Sequence, residues 1–386
     1  MRSLNQAGEP GLWTGAGSTR TSAPCRLLYV VGQLGPGGLE RQLWYLLQAI
    51  DRRRYQPAVV VWNGSERDLY VARIRSLDVP VYSFRTILSA RAKLRACARL
   101  ITHLGPEVVH SYTFYTNFAA YWGVLGTRAV AIGSVRCEFA LAKLDSGRVL
   151  GHMSARWPRY QIFNSLSAAH TCRGSRQMFA PKRLSVVRNA TDLEMFRSTP
   201  PAVGPRIRIV GIGSLLPNKR WDRLCRIAAA LKQRGFEFLM QIAGDGPLRG
   251  MLERQARELE LTDCLEFMGH TDDIAAFLAK AGFLVHASDS EGCPNSVMEA
   301  MACGRAVVAT DAGDIPSLVD DGKTGFVVRR GDEATLLARI VALITDADLC
   351  QRMGAAGRVK AEREFGVDRL VSQTLAAYRV AGWRRG

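Results

Sequence analysis

The chain is predicted to fold as two doubly wound α/β domains facing one another across a cleft. Three observations lead there. Its 386 residues exceed what one hydrophobic core ordinarily organises. Short apolar runs alternate with helical patterns in both halves, the signature of parallel sheets covered by helices. A proline-rich connector at 198–205 separates the halves. We therefore expect a tail at 1–24, a first domain at 25–200 and a second at 201–364.

Composition narrows the class. A hydrophobic fraction of 47% with 23% charged residues is that of a globular protein. No apolar run reaches the roughly 18 residues that span a bilayer, and residues 1–24 lack the apolar centre of a signal peptide. The nine cysteines form no C-x-x-C pair, so neither a zinc site nor a disulfide framework is indicated, and reduced thiols in a cytoplasmic protein are expected. The net charge of +17 is uneven: residues 1–200 hold 27 Lys and Arg against 11 Asp and Glu, and residues 201–386 hold 25 against 24. Such asymmetry suggests attraction to an anionic membrane surface. A nucleic-acid role is disfavoured because no binding module is recognisable.

In the first half, 26–31 reads as a buried strand, followed by a glycine-rich turn through Gly37 and Gly38 and a helix through Leu43, Leu46, Leu47 and Ile50. Such a turn lets backbone N–H groups approach a phosphate, although it is not the G-x-G-x-x-G dinucleotide fingerprint. Residues 58–62 and 79–84 read as strands. Between 89 and 103 lies a helix with a basic face of Arg91, Lys93, Arg95 and Arg99 over a buried stripe of Leu94, Cys97, Ala98 and Ile101. Strands at 107–112 and 129–135 end near His110, Tyr112, Arg136 and Glu138. His110 reads equally as a satisfied core histidine. In the second half, strands at 207–213, 238–243 and 265–270 each run into polar or glycine-containing loops. Residues 333–382 are helical in pattern.

The stretch 284–305 organises the rest. A buried strand at 283–286 leads through a polar loop to Pro294, which opens a helix closed by Gly304, and a strand follows at 306–310. Glu291 and Glu299 flank a helix N-terminus, whose free N–H groups suit an anion. A ligand with an anionic middle and hydroxyls at both ends fits, and a nucleotide sugar is such a ligand.

The string from Glu291 to Ala302, with seven residues between its two glutamates, resembles the E-x7-E signature of family 4 glycosyltransferases (glycosyl transferases group 1). The resemblance extends over nearly the whole chain from Arg26 onward. It implies the GT-B fold, and it implies that the terminal helix, 365–386, packs back on the first domain. It also implies a retaining transfer of a hexose from a nucleoside diphosphate sugar to an acceptor hydroxyl, with no metal or other cofactor. The acceptor that the family most commonly serves is a lipid-linked saccharide in surface polysaccharide or glycolipid synthesis, at the inner face of the membrane. Catalytic roles then fall to Glu291 and Lys219. Donor contacts fall to Gly37, Gly38, Ser214, Lys219, Arg220, Gly244, the backbone of His270, Glu291, Gly292, Cys293, Pro294, Asn295, Ser296 and Glu299. His110, Tyr112, Arg136 and Glu138 are assigned to the acceptor side.

Three positions depart from the family pattern. The family string G-R-L-x-P-x-K places Arg where this chain has Ser214, although Lys219 matches. The second His of V-H-x-H is Tyr112, which can hydrogen-bond but cannot act as an acid or base near neutral pH. Arg136 stands where many relatives place His. The departures at Ser214 and Tyr112 keep open a non-catalytic nucleotide-sugar-binding protein, and a same-fold epimerase is a second alternative.

Overall fold

The structure is a computed structural model that describes residues 23–174, 179–200, 206–271 and 273–384. The expected tail, apart from residues 23 and 24, and most of the connector lie outside these.

Seven strands form the first sheet: β1 Cys25–Val31, β2 Tyr55–Val61, β3 Val81–Ser83, β4 Val108–Ser111, β5 Val130–Val135, β6 Tyr160–Phe163 and β7 Arg183–Val186. Six form the second: β8 Ile207–Ile212, β9 Phe238–Ala243, β10 Leu265–Gly269, β11 Phe283–His286, β12 Ala306–Thr310 and β13 Gly325–Val328. The orders are β3-β2-β1-β4-β5-β6-β7 and β10-β9-β8-β11-β12-β13, and every strand pair is parallel. Both sheets are therefore doubly wound. Each has a switch point, β1/β4 in the first and β8/β11 in the second, where successive connections leave to opposite faces and open a crevice at the carboxyl ends.

Parallel strands must bury both faces, and the pleat shows how the sequence does so. On β1, Leu27, Tyr29 and Val31 enter one core cluster, while Leu28 and Val30 enter another on the opposite face. On β12, Ala306 and Val308 face one cluster, and Val307 and Ala309 the other. Small residues on β12 let flanking elements come close. A Cβ at Gly354, on the helix Ala347–Glu364, would lie 2.1 Å from the carbonyl oxygen of Gly304.

The helical tail resolves into Glu333–Thr345, Ala347–Glu364 and Val367–Ala381. Phe365 still belongs to a second-sheet cluster. Leu370, Leu375, Ala377, Tyr378 and Trp383 lie in the cluster of the first sheet, so the chain crosses back between these points. At the crossing, the Thr191 amide donates to the Phe365 carbonyl at 2.8 Å.

The basic helix differs from expectation. It spans Ala90–Leu104, and its buried stripe is Lys93, Cys97, Ile101 and Leu104. Lys93 faces inward, donating from Nζ to the Trp62 carbonyl at 2.7 Å and to Asn63 Oδ1 at 2.5 Å. Arg91, Arg95 and Arg99 remain exposed. Lysine's long stem let it fill a core position where the pattern of apolar residues alone pointed to Leu94.

Candidate active site

The carboxyl ends of the two sheets meet along the polar loop after β11. Pro294 caps the helix Asn295–Ala302 and so precedes it by one residue. The helix is buried from Ser296 to Ala302, so its amide end is held at the cleft. The Cys293 side chain packs inward, its Sγ 3.6 Å from Met298 Sδ, and only its backbone faces the loop's polar partners. Asn189 Nδ2 donates to the Cys293 carbonyl at 2.9 Å and to Asn295 Oδ1 at 2.8 Å. Asn295 Nδ2 reaches across to the Gly38 carbonyl at 3.3 Å. A Cβ at Gly38 would lie 2.6 Å from that nitrogen, so glycine permits this approach of the first-sheet turn to the second-sheet helix. Gly37 is the N-cap of the helix Gly38–Ala49. Ser296 is buried at the same amide end.

Glu291 sits at the loop's centre. Its Oε1 accepts from Lys219 Nζ at 2.6 Å and lies 2.9 Å from His286 Nε2. Burial alone would raise its carboxyl, but the His286 ring and the Lys219 ammonium hold it well below the usual carboxylate range. Glu291 is therefore ionised at neutral pH. Ser288 Oγ approaches the same His286 nitrogen at 3.2 Å. The expectation from sequence did not include His286, because a histidine ending a buried strand carries no local signal.

Glu299 is 3% exposed and forms an ion pair with Arg41 of the opposing helix. Burial raises its carboxyl, and Arg41 opposes that rise. Arg41 was also absent from the expected set, since its partner lies 258 residues away.

Lys219 ends a 3-10 turn, Pro217–Lys219. Ser214 is exposed on the loop after β8. Arg220, expected at the donor, is committed elsewhere. It adopts a left-handed backbone, φ +54°, and pairs with Asp289 at 2.6 Å and Asp222 at 3.1 Å. Gly244 is at φ +143°, where a Cβ would lie 2.0 Å from the Gly213 carbonyl oxygen, so it shapes the floor of that loop. His270 is exposed just after β10.

On the first-sheet side the expected residues separate. His110 is 1% exposed, with Nδ1 2.8 Å from the Tyr378 hydroxyl and Nε2 2.9 Å from Ser134 Oγ. It is the satisfied core histidine that the sequence allowed, and it does not reach the acceptor side of the cleft. Burial, with Arg136 nearby, holds its ring well below the usual imidazole range. Tyr112 is fully buried and likewise does not line the cleft, because its ring lies under the Arg136 guanidinium, 3.8 Å from centroid to Cζ. Arg136 and Glu138 do border it. Glu138 Oε2 accepts from Ser290 Oγ at 2.9 Å, and the Arg136 carbonyl accepts from Asn164 Nδ2 at 3.4 Å. One further buried acid, Glu40, lies on the first turn of the helix Gly38–Ala49. Burial, opposed by its own backbone amide and reinforced by Asp68, raises its carboxyl to about 7.

Residues 36–195 match the family described as Glycosyltransferase Family 4, and residues 206–346 match Glycosyl transferases group 1. The chain belongs to this glycosyltransferase family. Among curated relatives of this glycosyltransferase, the gpi3 subunit of phosphatidylinositol N-acetylglucosaminyltransferase from Schizosaccharomyces pombe is 24% identical over 81% of this chain and 70% of that protein. The putative glycosyltransferase EpsF of Bacillus subtilis is 26% identical over 92% of each. The solved structure of Anabaena HepE in complex with UDP-glucose superposes with a TM-score of 0.79 at 19% identity, covering 92% of this chain and 99% of that one. The likeness establishes the GT-B fold.

Proposed function

We propose that this glycosyltransferase moves a hexose from a nucleoside diphosphate sugar to an acceptor hydroxyl with retained anomeric configuration and without a metal. The observation that carries the reading is the Glu291 carboxylate, kept ionised between Lys219 and His286 at the mouth of a buried helix's amide end. UDP in the HepE complexes supports a nucleotide-linked donor.

In this reading the sugar's C1–O bond to the diphosphate breaks, and the electron pair leaves with the diphosphate oxygen. Lys219 and the amide end of the Asn295 helix receive that charge, as an oxyanion hole receives an alkoxide. The acceptor oxygen attacks C1 from the same face and passes its proton to the departing phosphate oxygen. Glu291 accepts hydroxyls of the transferred sugar on the oxygen that Lys219 and His286 leave open. Glu299 accepts the ribose hydroxyls beside its ion pair with Arg41. Ser214, Gly244 and the His270 backbone border the diphosphate and base. The acceptor we favour is a lipid-linked saccharide of surface polysaccharide or glycolipid synthesis. The polysaccharide-synthesis relatives support it, including the putative colanic acid biosynthesis glycosyltransferase WcaL. The basic first half would hold the protein at an anionic cytoplasmic membrane face. Among the described residues no helix is long and apolar enough to cross a membrane.

Thermal-shift screening against UDP-, GDP- and ADP-sugars identifies the donor, because a ligand that binds only the folded state raises Tm. Release of nucleoside diphosphate in the presence of lipid-linked acceptors then reports transfer. Glu291→Ala and Lys219→Ala are expected to abolish transfer with an unchanged circular dichroism spectrum. Normal turnover by Glu291→Ala would contradict the role given to that residue, and binding without turnover by the wild type would favour a non-catalytic binding protein.

A further inference from the structure

A nucleoside diphosphate brings at least two negative charges into the cleft, and desolvating them requires cations or donors close by. The second sheet offers few. Lys219 is shared with Glu291 at 2.6 Å. Arg220 is bound by Asp222 and Asp289, and Arg223 by Asp289 and Glu333. Ser214, on the loop beside Lys219, is neutral.

Arg136 is the opposite case. Its Nε and Nη1 are buried and have no hydrogen-bond partner, and no ion pair involves it among the described residues. A buried guanidinium left with unsatisfied donors is costly and calls for an explanation. Its position supplies one. Arg136 follows β5 at the carboxyl edge of the first sheet, and its carbonyl oxygen lies 3.2 Å from where a Gly292 Cβ would stand. Two residues on, Glu138 grips Ser290 across the cleft at 2.9 Å. The segment 136–138 thus runs alongside the 290–292 loop, against which the Asn295 helix presents its amide end. The Tyr112 ring lies beneath the guanidinium, 3.8 Å away, and holds it flat. Glu40, a nearby carboxyl on the same side, is raised to about 7 by burial, so it is a poor counterion for Arg136.

We propose that Arg136 reaches across the cleft to the donor's diphosphate as its second cation, facing Lys219 from the opposite sheet. This rests on the nucleotide-sugar reading above. The diphosphate would then bridge the two halves, with one cation on each side. Arg136 carries two unpaired N–H donors, Nε and Nη1, and its planar guanidinium is a group that suits a phosphate.

The test measures Kd for UDP, GDP and ADP, and for the corresponding monophosphates, by calorimetry on the full chain. Variants are Arg136→Gln, Arg136→Lys, Lys219→Met, and Arg136→Gln combined with Ser214→Arg. Removing a charge-assisted contact is expected to weaken diphosphate binding by about 30-fold in Arg136→Gln. Monophosphate binding should change by no more than about threefold, because the contact is to the outer phosphate. Arg136→Lys should retain part of the affinity, and Ser214→Arg should restore part of it, by placing the missing charge beside Lys219. Tm should change little in Arg136→Gln, since the ring contact with Tyr112 is lost together with two unsatisfied buried donors. Diphosphate affinity that is unchanged in Arg136→Gln but weakened in Lys219→Met overturns this proposal and leaves the donor reading standing. Equal weakening of mono- and diphosphate also overturns it. A wild type that binds none of the nucleotides removes both.

Discussion

Single residues in the cleft carry unequal charge states, and these decide its chemistry. Glu291 and Glu40 are both buried acids, yet they lie on opposite sides of the usual carboxylate range. His286 and Lys219 touch Glu291 directly, whereas burial of Glu40 prevails over its own helix amide and the more distant Arg136. The consequence for stability follows from linkage. Because the folded-state pKa of Glu40 is raised from 4.5 to about 7, its favourable contribution is complete below the unfolded value and is lost as pH rises through 7. The shift corresponds to about 3 kcal/mol at one pKa unit per 1.36 kcal/mol. Glu40→Gln should therefore raise Tm at pH 8 and leave it nearly unchanged at pH 5, read by calorimetry at both pH values. An equal change at the two would show that the carboxyl is not titrating in this window. For Glu291 the sign reverses: its depressed pKa stabilises the fold above the unfolded value, and that stability is lost as pH falls into the acid range.

At the scale of elements, the two halves are joined by end-to-end contacts between loops and helix termini. Asp314 is the clearest example. It follows β12 and is 1% exposed, yet it caps a helix of the other sheet, Leu166–Gly174. Its carboxylate accepts from Ser165 Oγ at 2.8 Å and from the amides of Leu166 and Ser167 at 2.9 Å, with Arg188 at 3.6 Å. Its own amide donates to the Gly292 carbonyl at 2.9 Å, which ties the cap to the donor loop. Loss of a cap costs about 1–2 kcal/mol, and leaving Ser165 and Arg188 unpaired adds to it. Asp314→Ala should lower the urea midpoint and, by loosening Gly292, weaken nucleotide binding as well. A variant with the midpoint of the wild type would show that water replaces the cap at no cost. Closer packing is at stake at Gly354. Gly354→Val would drive a side chain into the Gly304 backbone, and we expect a fall in soluble yield or Tm larger than that from a surface substitution in the same helix.

For the whole molecule, the first sheet's core is finished by the end of the chain. Leu370, Leu375, Tyr378 and Trp383 are buried in it, and Tyr378 alone bonds His110 and Tyr29, at 2.8 and 3.3 Å. Each fully buried aromatic or leucine side chain contributes roughly 1.5–3 kcal/mol by area, so the terminal segment contributes about as much as the marginal stability of a typical domain. A chain ended after Glu364 should fail to fold its first half, seen as aggregation or dye binding by exposed apolar surface. Recovery of a soluble, cooperatively unfolding product would refute this. The cleft's geometry therefore depends on residues remote from it in sequence.

The chain's local patterns determined the two parallel sheets, the buried helix behind Glu291 and the glycine turn facing it, because periodicity, prolines and glycines act over a few residues. Lys219 and Glu291 were each singled out by a family motif, and their contact at 2.6 Å comes from the fold. Tertiary structure alone decided which charges are free. Arg220 looked available but is consumed by Asp222 and Asp289. Lys93 looked solvated but is buried, and of the two readings open to His110 the fold took the core one. Arg41, His286 and Asp314 gave no local sign of their partners. A charge's neighbours are set by how distant segments pack, and a side chain's free energy depends on those neighbours far more than on its own sequence context.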